Sequence, residues 1–108
     1  MIPTPNKRRT LPQRRFGETR EFEHEGIRYF GTSGRYPDGA IGEVFLHSVK
    51  LGTGSDTNAR DAAIAVSLAL QYGCPLATIR KALTRDASGQ PSGPIGRFLD
   101  MIEETTSE

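Results

Sequence analysis

The chain has 108 residues, 14 Lys and Arg against 13 Asp and Glu, a formal net charge of +1, and a hydrophobic fraction of 35% with no Trp. That length suits one small domain with a limited core, burying roughly 60–70% of its unfolded surface, and the near-balanced charge excludes a protein that is basic overall. Its single cysteine, Cys74, excludes an internal disulfide or a thiolate zinc cluster; no apolar run approaches the ~20 residues a bilayer span needs, and Met1 to Phe16 lacks the apolar run of a signal peptide, so a soluble cytoplasmic protein is expected.

Residues 1–18 mix Pro, Arg, Thr and Gln with few apolar side chains. Such a segment buries too little surface to offset the entropy of ordering, which predicts a flexible basic arm. Lys7, Arg8, Arg9, Arg14, Arg15 and Arg20 crowd the first twenty residues, with Glu18 the only acid there. One reading of the arm is nucleic-acid contact, with Arg8, Arg9, Arg14 and Arg15 on phosphates. The other is a solvated tail or the remnant of a linker. Phe16 is the arm's only aromatic residue, which gives little support for base stacking.

From Thr19 to Ser48 the apolar residues recur with period two, and three strands fit, at about 19–24, 27–34 and 41–48. Glu25-Gly26 makes a tight hairpin turn and Pro37-Asp38-Gly39 the next. Gly31 and Gly34 within the second strand predict a bulge or a close backbone approach. The loop Gly52 to Asp56 leads into a helix, with Ser55 or Asp56 as its cap. That helix runs to about Tyr72. Gly73 suits its left-handed C-terminal position, and Pro75 the first turn of a second helix ending near Arg85. A Gly/Pro/Ser loop follows over 86–94, then a third helix at about 95–103 with Ile95, Phe98, Leu99 and Ile102 on one face, and a polar tail over 104–108. The expectation is one α+β domain over 19–103, a three-stranded antiparallel meander packed against two to three helices as a two-layer sandwich.

The stretch Arg60 to Ile79 is the most informative. It is alanine-rich and nearly free of charge. Ile64, Val66, Leu68 and Leu70 lie on more than one face, so several of its sides need cover.

The same stretch carries a family resemblance. Lys50-Leu51-Gly52, followed by the run from Ala63 to Leu76 (AIAVSLALQYGCPL), resembles a region near the C-terminus of adenosylcobalamin-dependent ribonucleotide reductases. Tyr36-Pro37-Asp38-Gly39 and Gly42-Glu43-Val44-Phe45-Leu46 are similar to that region's strand pair, and Gln90-Pro91-Ser92-Gly93-Pro94 to its ending. The resemblance covers roughly residues 20–95 and is to the TSCPD domain family, which also occurs as small stand-alone bacterial proteins. The literal Thr-Ser-Cys-Pro-Asp string is absent, and only Cys74-Pro75 matches part of it. The reductases' radical chemistry uses several cysteines, a cofactor site and a large barrel. One cysteine cannot supply a thiyl radical and a reducing dithiol together. The resemblance therefore implies an accessory place in ribonucleotide reduction and DNA precursor synthesis, with a reductase large chain as partner. Adenosylcobalamin is implied only by association with the family, and no cofactor is expected in this chain.

Two groups of residues are candidate sites. Lys50, Gly52, Gly54, Ser55 and Arg60 surround a helix N-terminus, where backbone N–H groups hold phosphate or nucleotide; an ordinary capped turn is the competing reading, and the spacing is not that of a phosphate loop. Ala62, Ala65, Ala69 and Gly73 are small residues that let another helix approach closely, in a homodimer or a partner complex. Cys74 reads as a small buried hydrophobe, and His24 and His47 as two exposed strand residues without metal-site spacing. Asp38 and Glu43 make a poor acid/base pair, because Asp38 is a turn residue.

Overall fold

The computed structural model describes residues 7–50 and 52–106, with side chains as far as residue 102. The first six residues of the expected arm, Leu51 of the expected loop and the last two residues of the expected tail lie outside the described residues. Three strands, β1 (Gly17–His24), β2 (Ile27–Arg35) and β3 (Ile41–Ser48), form one antiparallel sheet in the order β1-β2-β3. Three helices follow: α1 (Gly54–Gln71), α2 (Leu76–Ala82) and α3 (Pro94–Thr106). The small α+β architecture matches the expectation from period and turn chemistry.

The first hairpin closes on His24 opposite Ile27. Its two turn residues, Glu25 at φ 51° and Gly26 at φ 79°, have the paired positive φ of the turn that matches strand twist. The second turn is tied by the Asp38 carboxylate, which accepts the Ala40 N–H at 3.0 Å. Both readings of the β2 glycines hold. The ladder shifts register between Gly34 and Arg35, and a side chain on Gly31 would meet the Phe98 ring at 2.5 Å.

One face of the sheet is the core. Phe22, Tyr29, Val44 and Leu46 lie against Phe98, Leu99 and Ile102 of α3 and Ala59, Ala63 and Val66 of α1. Phe98 stacks on Phe22 with centroids 5.9 Å apart and planes 2° from parallel. The opposite face carries Phe30 stacked on His47 at 5.5 Å, the Thr19–Thr32 hydroxyl pair and the Glu21–Arg28 ion pair.

α1 lies along the outer edge of β3, with polar side chains turned to the strand's free backbone groups. The Ser67 hydroxyl accepts the Val44 N–H and donates to the Val44 carbonyl, both at 2.9 Å. Gln71 Nε2 donates to the Gly42 carbonyl at 2.9 Å, and Asp56 Oδ1 accepts the Ser48 N–H at 2.9 Å. These rungs satisfy backbone groups that a bare strand edge would leave open. Ser67→Ala is expected to strand both Val44 groups and cost about 1–3 kcal/mol, read as a lower urea midpoint at unchanged slope. An unchanged midpoint would mean that water replaces the hydroxyl without loss.

Three local expectations are corrected. The cap of α1 is Thr53, whose extended backbone places its hydroxyl to accept the Asp56 N–H at 3.2 Å; Ser55 and Asp56 sit within the first turn. Pro75 is the cap residue of α2, with extended ψ 145°, and not part of its first turn. α2 also stops at Ala82, because Leu83 is extended and Arg85 turns back to bridge Pro91.

Candidate functional site

The loop before α1 brings Gly52 and Arg60, two of the five residues expected to hold phosphate, together around a carboxylate of the chain itself. Asp56 is buried, with 3% of its surface exposed. Its Oδ2 accepts the Gly52 N–H at 3.2 Å and Arg60 Nε at 2.9 Å. The Lys50 carbonyl accepts the Ser48 and Thr53 hydroxyls, while Gly54 and Ser55 are exposed. Burial alone would lift the Asp56 carboxyl; the donors Ser48 N–H, Arg60 and Gly52 N–H outweigh it and hold the group below the ordinary carboxylate value. A carboxylate of the chain itself thus uses the Gly52 N–H and Arg60, two of the donors expected for a phosphate.

The small residues on α1 do not form one open stripe. Ala69 packs against the core. Ala62 lines a cavity of about 300 Å³ beside Pro94 and Ile95 of α3. Ala65 and Gly73 are exposed. Gly73 takes φ 100°, as expected of a residue that ends a helix.

The neighbouring stripe is the more apolar one; the sequence marked Ile64 and Leu68 as needing cover but did not join them to Tyr72 or Phe45. Ile64, Leu68 and Tyr72, spaced four apart along α1, are 56%, 41% and 50% exposed. Phe45 of β3, on the sheet's uncovered face, is 51% exposed and lines one shallow groove with Ile64 and Leu68. The apolar surface therefore runs from the open sheet face onto the outer side of α1. The sequence signal was present in the i, i+4, i+8 spacing of 64, 68 and 72. What it could not show was that α1 turns its other side to the sheet edge.

Arg8, Arg9 and Arg15 of the arm are turned onto the domain. Arg9 lies over the Tyr36 ring at 3.7 Å and pairs with Asp38 at 2.9 Å, while its carbonyl accepts the Tyr36 hydroxyl and its N–H donates to the Gln71 carbonyl. Arg8 donates to the Gln71 side chain. Arg15 forms a two-pronged pair with Glu43. For Asp38, the Ala40 N–H first and Arg9 second hold the carboxyl below its usual value.

Cys74 is half-buried and lines a cavity of about 420 Å³ with Leu70 and Leu76. The histidines are less open than expected. His24, on the core face, has a side chain only 14% exposed and lies 3.0 Å from the Ser92 carbonyl. His47 is half-buried on the opposite face. Burial by the 91–93 loop and by Phe30 accounts for both. Asp38 and Glu43 answer to different arginines and do not face one another as an acid and a base. Among the described residues, no group of three or more His, Cys, Asp or Glu is placed to hold a metal ion, and no helix is long and apolar enough to cross a membrane.

Comparison with known proteins gives a consistent result. The family model described as the TSCPD domain matches residues 3–104. The chain is 37% identical over 101 residues to a vitamin B12-dependent ribonucleotide reductase of Bradyrhizobium diazoefficiens, covering 94% of this chain and 8% of the relative. It is 36% identical to the protein of that name in Agrobacterium fabrum, with the same coverage. It is 42% identical over 98 residues to the one in Streptomyces clavuligerus, covering 88% of this chain and 10% of the relative. The chain thus spans about a tenth of the length of these relatives. No solved structure matches it.

Proposed function

This chain belongs to the TSCPD domain family, and from that membership we propose that it serves ribonucleotide reduction as an accessory domain, docking onto a vitamin B12-dependent ribonucleotide reductase chain. The observation that carries this reading is the coverage: nearly all of this chain matches relatives of that name, yet it spans only 8–10% of their length. A segment held within a much longer chain needs a surface on which the remainder can rest, and the apolar surface formed by Phe45, Ile64 and Leu68 suits that part. Substrate, radical and reducing thiols belong to the larger chain on this reading, and the product supplies DNA synthesis in the cytoplasm. Adenosylcobalamin would stay with the partner. Neither the cavity of about 420 Å³ nor that of about 480 Å³ has room for a corrinoid with its nucleotide tail.

Nucleotide held at Lys50, Gly52, Gly54, Ser55 and Arg60 has less support, because Asp56 already uses the Gly52 N–H and Arg60. A nucleic-acid arm built on Arg8, Arg9 and Arg15 has less support as well, since each is held by Gln71, Asp38 or Glu43.

The test is capture of a vitamin B12-dependent reductase chain from which the matching segment has been deleted, using the tagged domain at micromolar concentration. Capture is expected. Phe45→Glu and Leu68→Glu should each weaken it by about thirtyfold, the size of a central interface residue, with the circular dichroism spectrum unchanged because both side chains are exposed. Absence of capture, or capture indifferent to both changes, would remove this reading.

A further inference from the structure

A cavity of about 480 Å³ opens where the arm crosses the turn between β2 and β3. It is separate from the loop before α1 and from the apolar surface of α1. Its working side chains are Arg14, Arg15, Phe16, Arg35 and Tyr36, flanked by Pro12 and Pro37. No carboxylate is in its lining. The size falls in the range of small-molecule sites.

The charges in this lining are unequally committed. Arg15 is neutralised by Glu43, and its Nη1 donates to the Pro12 carbonyl at 2.7 Å, which bends the arm at this place. Arg35 gives Nη1 to the Gly39 carbonyl at 2.7 Å and has no acidic partner among the described residues. Arg14 has neither a hydrogen bond nor an ion pair among them. Asp38, next along the turn, is occupied by Arg9 and the Ala40 N–H, so its charge is already answered. Two guanidinium groups therefore stand with donors to spare beside a cavity that holds no competing acid. Guanidinium forks suit phosphate oxygens.

The apolar element is equally specific. Phe16 is 74% exposed, the most exposed large apolar side chain described. It is fixed at the start of the sheet, since its carbonyl accepts the Arg35 N–H at 2.9 Å. Tyr36 is buried with Arg9 over its ring, so its role is to form the cavity wall. An aromatic ring on a held backbone beside uncommitted arginines is the arrangement that stacks a base and clamps its phosphate. The sequence showed one aromatic in the arm; the fold adds Arg35 and the Tyr36 wall from twenty residues away.

We infer that this cavity is a binding site for a phosphate-bearing nucleobase, with the base stacked on Phe16 and the phosphate held by Arg14 and Arg35. The shared chemistry covers a free nucleotide and the end of a single strand. The inference does not depend on docking to a reductase, and its failure would leave that reading untouched.

The experiment uses the full chain with amide NMR, titrated in parallel with ATP, inorganic tripolyphosphate and a short oligodeoxynucleotide. ATP is expected to shift the amides of Arg14, Phe16, Arg35 and Gly39 and to saturate below millimolar concentration. Phe16→Ala should weaken ATP by about tenfold, in line with the loss of one stacked base, and leave tripolyphosphate unaffected. Arg14→Ala and Arg35→Ala should weaken both. Phe16 and Arg14 are exposed, so the fold tolerates their truncation. Tighter binding of the oligonucleotide than of ATP would assign the site to a strand end, and weaker binding to a free nucleotide; either supports the inference. Tripolyphosphate binding as tightly as ATP with no effect of Phe16→Ala would overturn it, as would unmoved amides at millimolar ATP.

Discussion

Phe98→Ala is expected to lower the unfolding free energy by about 3–5 kcal/mol, the cost of removing a core aromatic and leaving a cavity. In so small a domain that is a large share of the total stability. Phe98 is 1% exposed and ends the Tyr29–Phe22–Phe98 stack on the core face, lying between Phe22 and the bare backbone of Gly31. The converse substitution tests the same contact. A methyl group on Gly31 would lie 2.5–2.7 Å from three ring carbons, closer than van der Waals contact allows, and should cost about 1–3 kcal/mol through displacement of the ring. In the Phe98→Ala background, Gly31→Ala should be nearly neutral. The double mutant then loses clearly less than the sum of the singles, as expected for residues in contact. Chemical denaturation of the four proteins measures this coupling, and strict additivity would show that the glycine serves the strand for some other reason.

Asp100→Ala should be the most damaging change to a charged residue. Its carboxylate is 16% exposed and accepts Arg80 Nε at 2.9 Å and Arg85 Nη2 at 2.8 Å on one oxygen, and Arg85 Nη1 at 3.0 Å on the other. Arg85 also donates to the Arg80 and Gly89 carbonyls. One carboxylate thus joins α3 to the end of α2 and to the loop beyond it. Its removal leaves two half-buried arginines facing each other, at a cost of about 2–3 kcal/mol once partial solvent screening is allowed for.

The same group predicts an acid limb. The Arg85 hydrogen bonds first, and those of Arg80 after a smaller opposing effect of burial, hold the Asp100 carboxyl below its ordinary value of 3.8. A depressed folded pKa contributes stability that is fully present above the unfolded value and lost as the pH falls through the folded one. Asp38, Asp56 and Asp86 are shifted in the same direction. Thermal midpoints should therefore be level with respect to these groups above about pH 5 and fall steeply below pH 4. Asp100→Asn should lower the plateau and flatten the descent. A descent of unchanged steepness would mean that Asp100 is not among the groups that drive it.

Much of the fold was legible because local rules and tertiary packing agree. Alternation placed β2 and β3, and the Glu25-Gly26 pair placed their partner, since few residue pairs accept two positive φ values. Phe98, Leu99 and Ile102 were read as one helix face, and all three lie in the core. Helix ends were less legible. Ser55 or Asp56 was expected as the cap of α1, but the hydroxyl of Thr53 is chemically equivalent to that of Ser55, and Asp56 is taken by the Ser48 N–H across the loop. The proposed surfaces were least legible. Ile64 and Leu68 looked like residues in need of cover, but only the placement of Ser67 and Gln71 against β3 shows which side of α1 stays open. Arg35, at the end of a strand, carried no signal of its own until the arm folded back beside it.

The rungs from α1 to β3 have a consequence for how copies of this domain could assemble. A sheet that grows by adding strands needs two open borders, one to receive a neighbour and one to pass the process on. Here Asp56, Ser67 and Gln71 close one border. Only the β1 side remains for pairing among the described residues. Two copies meeting there would use up each other's single free border, so strand addition ends with a pair and cannot extend into a fibre.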